Sequence, residues 1–212
     1  MADIDKTLKY YNENAQSFAS GTVSVKFTKV QDKFLEKLNP DAYILDFGCG
    51  AGRDTKYFLS RGYQVDAVDG SEQLCRIASE YTEIKVRQML FQELDEKEKY
   101  DGIWACASIL HLPKKQLREV LKNMYAALKS KGWIYTSFKY GEFEGERNGR
   151  YFTDFTGWLF ASLLKDLDKT CSQYCFSTSR SSLDYQISCF GSFFFCKVFH
   201  NTIISPAKLI LH

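Results

Sequence analysis

The stretch AYILDFGCGAGRD, residues 42–54, decides which fold the sequence predicts. Its apolar residues predict a short buried strand that ends in Asp46, and the alternating glycines that follow predict a tight turn. From Asp54 onward the apolar residues recur at helical spacing. Glycines 48, 50 and 52 permit a positive φ and let a ligand approach the backbone where a Cβ would clash. Because the N-terminus of the helix presents unpaired N–H groups to the same point, the stretch predicts a ligand-binding turn.

The next predicted strand, residues 63–68, ends in another acid, Asp69. A carboxylate at the end of the second strand of a βαβ unit is placed to accept hydrogen bonds from ribose hydroxyls. The sequence therefore predicts a nucleoside pocket. A dinucleotide-binding turn has the spacing G-x-G-x-x-G, but here Arg53 stands where the third glycine belongs. This departure disfavours a nicotinamide-dependent oxidoreductase, which stays as a weaker alternative.

The spacing D-x-G-x-G-x-G from Asp46 to Gly52 resembles the first motif of the class I S-adenosylmethionine-dependent methyltransferases. Among them the chain is most similar to the small-molecule branch, including tellurite-resistance-type enzymes, over residues 10–165. The resemblance implies an α/β, doubly wound, Rossmann-like domain with a mostly parallel seven-stranded sheet, the last strand antiparallel, and an N-terminal helical cap. We expect the cap at residues 1–40 and the methyltransferase domain at 41–212. The end of the chain, 171–212, carries no motif of the family, although the fold needs a closing hairpin there, near 172–178 and 186–199.

The resemblance also implies which residues bind S-adenosylmethionine. In this family the first acid and its loop face the amino-acid end of the cofactor, and the second-strand acid holds the ribose. Many relatives carry an acid near the end of the third strand, but this chain has none before Glu93, so we expect adenine to stack on Phe91. The expected cofactor-binding residues are Tyr11, Asp46, Gly48, Cys49, Gly50, Gly52, Asp69, Gly70, Ser71, Phe91, Gln92, Ala105 and Cys106.

The predicted acceptor side consists of an N-terminal helix, a loop after the fourth strand and a polar segment after the fifth. A helix over residues 4–18 carries Tyr11, which either lies at the cofactor or only packs the helix to the core. His111 follows the fourth strand and is either a catalytic group with a pKa near 6.5 or a residue that only hydrogen-bonds its loop. The polar, glycine-rich segment 139–152 predicts either a lid over the substrate or a solvated loop. If it is a lid, Arg147, Arg150 and Tyr151 select an anionic or oxygen-bearing acceptor.

Composition narrows the remaining possibilities. A chain of 212 residues with 25% charged residues predicts one globular core. Its net charge of +2 argues neither for nor against nucleic acid, but the Lys and Arg residues are scattered, so we expect no nucleic-acid partner. The apolar runs are shorter than the roughly 20 residues that span a bilayer, so we expect no membrane partner. No apolar leader is visible at the start, and seven cysteines without framework spacing favour reduced thiols in the cytoplasm. Cys171 and Cys175 have no matching second pair, so no metal is expected.

The resemblance implies a methyltransferase that moves a methyl group from S-adenosylmethionine to a small-molecule acceptor by direct displacement. The alternative hypothesis, which is a binding protein instead of an enzyme, is a catalytically silent protein that only binds S-adenosylmethionine. No pattern in the sequence decides the oligomeric state.

Overall fold

The computed structural model describes residues 2–167, 174–181 and 188–196. Its helices are α1 (Ala2–Glu13), α2 (Ala15–Thr22), α3 (Thr28–Leu35), α4 (Arg53–Ser60), α5 (Glu72–Thr82), α6 (Lys114–Ala127) and α7 (Gly157–Leu167). Its strands are β1 (Tyr43–Phe47), β2 (Gln64–Asp69), β3 (Arg87–Gln88), β4 (Tyr100–Ala105), β5 (Leu128–Lys139), β6 (Glu144–Arg147), β7 (Arg150–Thr153), β8 (Tyr174–Ser181) and β9 (Ser188–Cys196). Short 3₁₀ turns occupy Phe91–Glu93 and Ile109–His111.

The main sheet has the strand order β3-β2-β1-β4-β5-β9-β8. All pairings from β3 to β5 are parallel, so the predicted doubly wound, mostly parallel sheet is confirmed in its first five strands. The strand order reverses between β1 and β4, and ligands in such sheets bind in the crevice beyond the carboxyl ends of the strands at this point. The fold therefore places a site where the glycine turn follows β1.

The far edge of the sheet is antiparallel. β9 pairs with β5, and β8 pairs with β9, so these two strands overlap the segments 172–178 and 186–199 where the closing hairpin was expected. The other residues of the predicted atypical end, 171–173, 182–187 and 197–212, lie outside the described residues.

Both faces of the sheet are covered, which explains its apolar strands. Adjacent residues of a strand point to opposite faces of the sheet, and here the side chains on each face are fully buried. Ile44 and Trp104 pack with α3 and α4 on one face, whereas Leu45 and Ile103 pack with α6 on the other. Strands buried on both faces read as continuous apolar runs, as in a parallel sheet between two helical layers. In the described part of the chain, no helix is both long and apolar enough to cross a bilayer.

The predicted N-terminal helix of residues 4–18 is divided into α1 and α2. Asn14 leaves the helical conformation, with φ −111° and ψ 12°, and its side-chain amide donates to the carbonyl of Tyr10 at 2.8 Å. A polar side chain that bonds its own backbone competes with the helix in this way. Helix α3 follows, and its Phe34 is fully buried against the sheet.

The polar segment after β5 is an antiparallel hairpin rather than a loop. Arg147 of β6 pairs with Arg150 of β7, so Asn148 and Gly149 form a two-residue turn, with φ of 50° and 75°. Asn-Gly is the dipeptide that suits a turn with two positive φ angles. The Asn-Gly signal was present in the sequence. The prediction of a loop was wrong because it rested on the polarity of the segment and left this turn signal out.

Candidate functional site

A cavity of about 410 Å³ opens at the carboxyl ends of the strands, beneath α1 and α2. The predicted residues that line it are Tyr11, Gly48, Cys49, Gly50, Asp69, Gly70, Phe91, Gln92, Cys106, His111 and Arg150. The predicted residues that do not line it are Asp46, Gly52, Ser71, Ala105, Arg147 and Tyr151. The structure thus brings most of the predicted set to one cavity.

The glycine turn forms one wall of the cavity. Gly48 and Gly50 have φ angles of 84° and 57°, which are the left-handed values that favour glycine. A Cβ on Gly48 would lie 2.4 Å from the Cβ of Ser108, and one on Gly50 would lie 3.1 Å from the ring of Phe18. Gly52 has a different role, because its Cβ would meet Thr82 on α5 at 2.6 Å. The first two glycines shape the cavity, and the third allows two helices to pack.

Asp69 holds the turn from the end of β2. Its carboxylate accepts the backbone N–H of Gly50 at 2.9 Å and that of Ser71 at 2.8 Å. Burial raises the pKa of Asp69, while the N–H groups of Ser71, Gly50 and Gly70 act in the opposite direction. A carboxylate has four lone-pair sites, so Asp69 retains acceptor capacity at the cavity after it has fixed the turn.

Three other predicted residues support this wall from outside the cavity. Asp46 is 1% exposed, and its carboxylate accepts the hydroxyl of Thr55. Burial and the neighbouring charge of Asp54 raise the pKa of Asp46. Ser71 caps α5 by accepting the N–H of Leu74, and it donates to Asn12 of α1 at 2.7 Å. Ala105 is fully buried in β4.

A buried ion pair, not predicted as part of the site, lines the cavity beside the turn. Arg53 donates to Asp54 through Nε at 2.8 Å and Nη2 at 2.9 Å. Asp54 also accepts from Gln31 at 2.6 Å and from Trp104 at 2.8 Å. Four donors satisfy this carboxylate, which leaves it a structural part of the wall. The signal was the Arg-Asp pair directly after the last glycine, in the first turn of α4.

Phe91 and Gln92 form the wall below β3. The ring of Phe91 packs edge-on against Phe47, with centroids 4.9 Å apart. Glu93, the first acid after β3, accepts the N–H of Leu90 at 2.6 Å and thereby caps this turn. The side chain of Gln92 is bonded to Gln116 at 2.8 Å. Phe91 therefore presents its ring to the cavity, and the Glu93 carboxylate is already bonded to the backbone of Leu90.

His111 lies at the other end of the cavity, between α1 and β7. Its Nδ1 is 2.6 Å from the carbonyl oxygen of Tyr151, and its Nε2 is 2.9 Å from the hydroxyl of Tyr11. Because a carbonyl can only accept, Nδ1 carries the proton and Nε2 accepts from Tyr11. Burial, together with the nearby charges of Arg150 and Lys139, lowers the pKa of His111 to about 4, while the bond to Tyr151 acts in the opposite direction. The imidazole is neutral at pH 7 and holds the Tyr11 hydroxyl in place.

The hairpin supplies three predicted residues in three different ways. Arg147 donates to Asp154 at 2.6 and 3.1 Å and stacks on Phe143, so it is directed away from the cavity. Tyr151 contributes backbone: its carbonyl meets His111, and its N–H donates to Thr7 of α1 at 2.9 Å. Arg150 lines the cavity, with Nη1 3.4 Å from the hydroxyl of Tyr11. The hairpin and α1 therefore enclose this end together.

Residues 44–132 match a family model described as a methyltransferase domain. No curated protein is similar enough in sequence to count as a match. Several solved structures share the fold. The first is the 1,6-didemethyltoxoflavin-N1-methyltransferase of Burkholderia thailandensis, with bound 1,6-didemethyltoxoflavin and S-adenosylhomocysteine, at 20% identity and a TM-score of 0.70 over 91% of this chain and 85% of that one.

Two further structures are similar. The magnesium protoporphyrin IX methyltransferase ChlM of Synechocystis PCC 6803, with bound SAM, has 15% identity and a TM-score of 0.64 over 89% of this chain and 94% of its own. TehB of Haemophilus influenzae has 19% identity and a TM-score of 0.66 over 82% of this chain and 63% of its own. At these identities the likeness shows the fold.

Proposed function

We propose that this chain, whose residues 44–132 match a family model described as a methyltransferase domain, moves a methyl group from S-adenosylmethionine to a small-molecule acceptor. The observation that carries the proposal is the glycine turn fixed by Asp69 at the wall of the cavity. Similar structures support it, since the 1,6-didemethyltoxoflavin-N1-methyltransferase was crystallised with S-adenosylhomocysteine and ChlM with SAM.

The residues of this cavity fit the cofactor. Side chains at Gly48 and Gly50 would narrow the cavity. Without them, a ligand can contact the backbone of the glycine turn. We assign the amino-acid end of the cofactor to this turn, the ribose to Asp69, and the base to the ring of Phe91 and the backbone beside it. The spare lone pairs of Asp69 suit ribose hydroxyls, which are donors.

The bound cofactor supplies an electrophilic methyl group on a positively charged sulfur. The protein therefore has to align the acceptor and exclude water, and neither task requires a covalent intermediate. The rings of Tyr11 and Phe18, 5.3 Å apart, cover the cavity from the N-terminal side. In our proposal, His111 positions the Tyr11 hydroxyl, and this pair orients the acceptor.

We also propose that the protein works in the reducing cytoplasm. Cys49, Cys75 and Cys106 are free thiols, and Cys49 and Cys106 line the cavity. Burial raises the pKa of Cys106 to about 12, so this thiol stays protonated at neutral pH. A reducing compartment would keep these side chains in the form that the cavity requires.

A catalytically silent binding protein is the second candidate. It is favoured by one observation: both ring nitrogens of His111 are occupied within the chain, and burial lowers its pKa to about 4. Such a group is a weak base at pH 7. A protein of this kind would bind the cofactor and release no product.

One experiment separates the candidates. Isothermal titration measures the binding of S-adenosylmethionine, S-adenosylhomocysteine and NADH to the whole chain, and a product assay measures S-adenosylhomocysteine formation across an acceptor panel. We expect binding of the first two ligands and product with at least one acceptor. Binding without product supports the silent protein, and binding of NADH alone contradicts the proposal.

A further inference from the structure

The hairpin β6–β7 carries two arginines with opposite surroundings. Arg147 forms a bidentate pair with the buried carboxylate of Asp154. Arg150 has no carboxylate partner within the part of the chain that the structure describes. The two residues face each other across the turn, so the difference lies in where each guanidinium is directed.

Most donors of Arg150 make no hydrogen bond to the residues that the structure describes. One N–H, on Nη1, reaches the Tyr11 hydroxyl at the long distance of 3.4 Å, and Nε is buried with no partner among the same residues. Around the guanidinium stand the rings of Tyr10, Phe152 and Tyr11, with centroids 4.5, 5.2 and 5.7 Å away. Aromatic faces attract the cation, but they accept none of its in-plane hydrogen bonds. A guanidinium in this state is set to bind an acceptor group from a ligand.

The charges around Arg150 point to an anion. Lys139 lines the same end of the cavity, and both cations lie close enough to lower the pKa of His111. The carboxylates among the described lining residues, Asp54 and Asp69, are engaged by Arg53 and by the glycine turn. The methyl donor would add the positive charge of its sulfonium. A neutral acceptor would leave the charge of Arg150 without a carboxylate partner among the described residues, whereas an anion complements it.

We propose that Arg150 binds a carboxylate of the methyl acceptor, which makes the substrate a small acid with an apolar body. This inference rests on the proposed function and narrows it to a substrate class. A planar guanidinium matches a carboxylate with two parallel hydrogen bonds. The apolar body has its counterpart in Met89, Leu110, Leu112 and Phe152, which line the cavity. Arg150 is thus a specificity-determining residue.

The test compares an acid with its amide on the complex with S-adenosylhomocysteine. Isothermal titration measures the affinities of benzoate and benzamide, and of 4-hydroxybenzoate and its amide, at saturating S-adenosylhomocysteine. We expect the acids to bind at least about tenfold more tightly than the amides, since hydrogen bonds to charged groups are the strong ones. Arg150→Met should abolish the preference, and Arg150→Lys should retain part of it because the charge remains.

Arg61→Met is the matched control, because Arg61 is exposed and follows the end of α4 that is opposite the glycine turn. It removes the same charge and should keep the full preference for acids. Equal binding of acid and amide to the parent protein, absence of binding by either, or an unchanged preference in Arg150→Met overturns the inference. S-adenosylhomocysteine affinity and thermal unfolding are measured for every variant. If the parent protein does not bind S-adenosylhomocysteine, the proposed function itself is contradicted. If it binds S-adenosylhomocysteine but shows no preference for acids, only the inference about Arg150 fails.

Discussion

The two ends of the cavity are built in different ways. At the end that we propose for the cofactor, here called the cofactor end, backbone groups close to one another in sequence meet a single carboxylate: Gly50 is 19 residues from Asp69, and Ser71 is two residues from it. At the end that we propose for the acceptor, here called the acceptor end, the groups come from distant segments: Tyr11 and His111 are 100 residues apart, and the Thr7 hydroxyl bonds the Tyr151 N–H across 144 residues.

This difference teaches where a function can be found in a sequence. A backbone turn needs particular residues at particular spacings, so it leaves a local motif. A wall assembled from a helix, a 3₁₀ turn and a hairpin is specified by tertiary packing, and each segment taken by itself shows an ordinary pattern. The cofactor class is therefore local information, and the acceptor class is not.

The largest effect should come from the backbone at the cofactor end. Gly48→Ala places a Cβ 2.4 Å from Ser108 at a φ of 84°, so strain and overlap together should lower the free energy of unfolding by about 2–5 kcal/mol. Gly62→Ala is the matched control, because Gly62 has a φ of 87° with no atom within 4 Å of the added Cβ. It should show the strain alone, about 1–2 kcal/mol. Urea denaturation measures both, and equal losses would show that the overlap with Ser108 does not matter.

The next effect concerns pH and the acceptor end. The pKa of His111 is lowered by burial to about 4, against about 6.5 in the unfolded chain, so the unfolded state binds more protons between these values. Stability contributed by the neutral ring is present above pH 6.5 and is lost as the pH falls toward 4, by up to about 3 kcal/mol. His111→Gln removes this contribution, and the difference between variant and parent in urea unfolding at pH 7 and pH 4 isolates it from other titrating groups. An NMR titration of the ring with a midpoint near 6.5 would contradict the neutral, buried state.

The third prediction sharpens the role of Asp69. Asp69→Asn keeps the size of the side chain but removes its charge, so S-adenosylhomocysteine affinity should fall by about 1.5–3 kcal/mol. The reason is that the variant loses the charged acceptor both for the ribose hydroxyls and for the N–H of Gly50. Glu72→Gln, one residue beyond Ser71 and exposed, is the control and should bind like the parent. Unchanged affinity in Asp69→Asn would remove the ribose assignment.

The smallest effect should come from a single hydroxyl. Tyr11→Phe keeps the ring against Phe18 but deprives Nε2 of His111 of its donor, which should cost about 1 kcal/mol of stability. Tyr10→Phe keeps its ring over Arg150 and loses no side-chain hydrogen bond of the described residues, so its stability should match the parent. A Tyr11→Phe protein as stable as Tyr10→Phe would mean that the bond to His111 carries no net energy.

The sequence was sufficient for the parallel strands, for the turn after β1 and for the approach of Asp69 to that turn, because each depends on local spacing. It was not sufficient for the break at Asn14, which divides the predicted N-terminal helix. The Asn-Gly hairpin was readable from known turn chemistry. That Arg150 lines the cavity while Arg147 meets Asp154 was not readable, since both residues stand beside the same turn and the position of Asp154 decides between them.

The division of α1 from α2 has a practical consequence. Residues from both helices line the cavity, among them Leu8, Tyr11 and Phe18, yet both helices lie upstream of the family match, which begins at residue 44. A shortened chain that starts at the matched segment would retain the glycine turn and Asp69, but it would lack the roof over them. We expect such a fragment to bind S-adenosylmethionine weakly. A lack of methyl transfer by the fragment would therefore not be evidence about the whole protein.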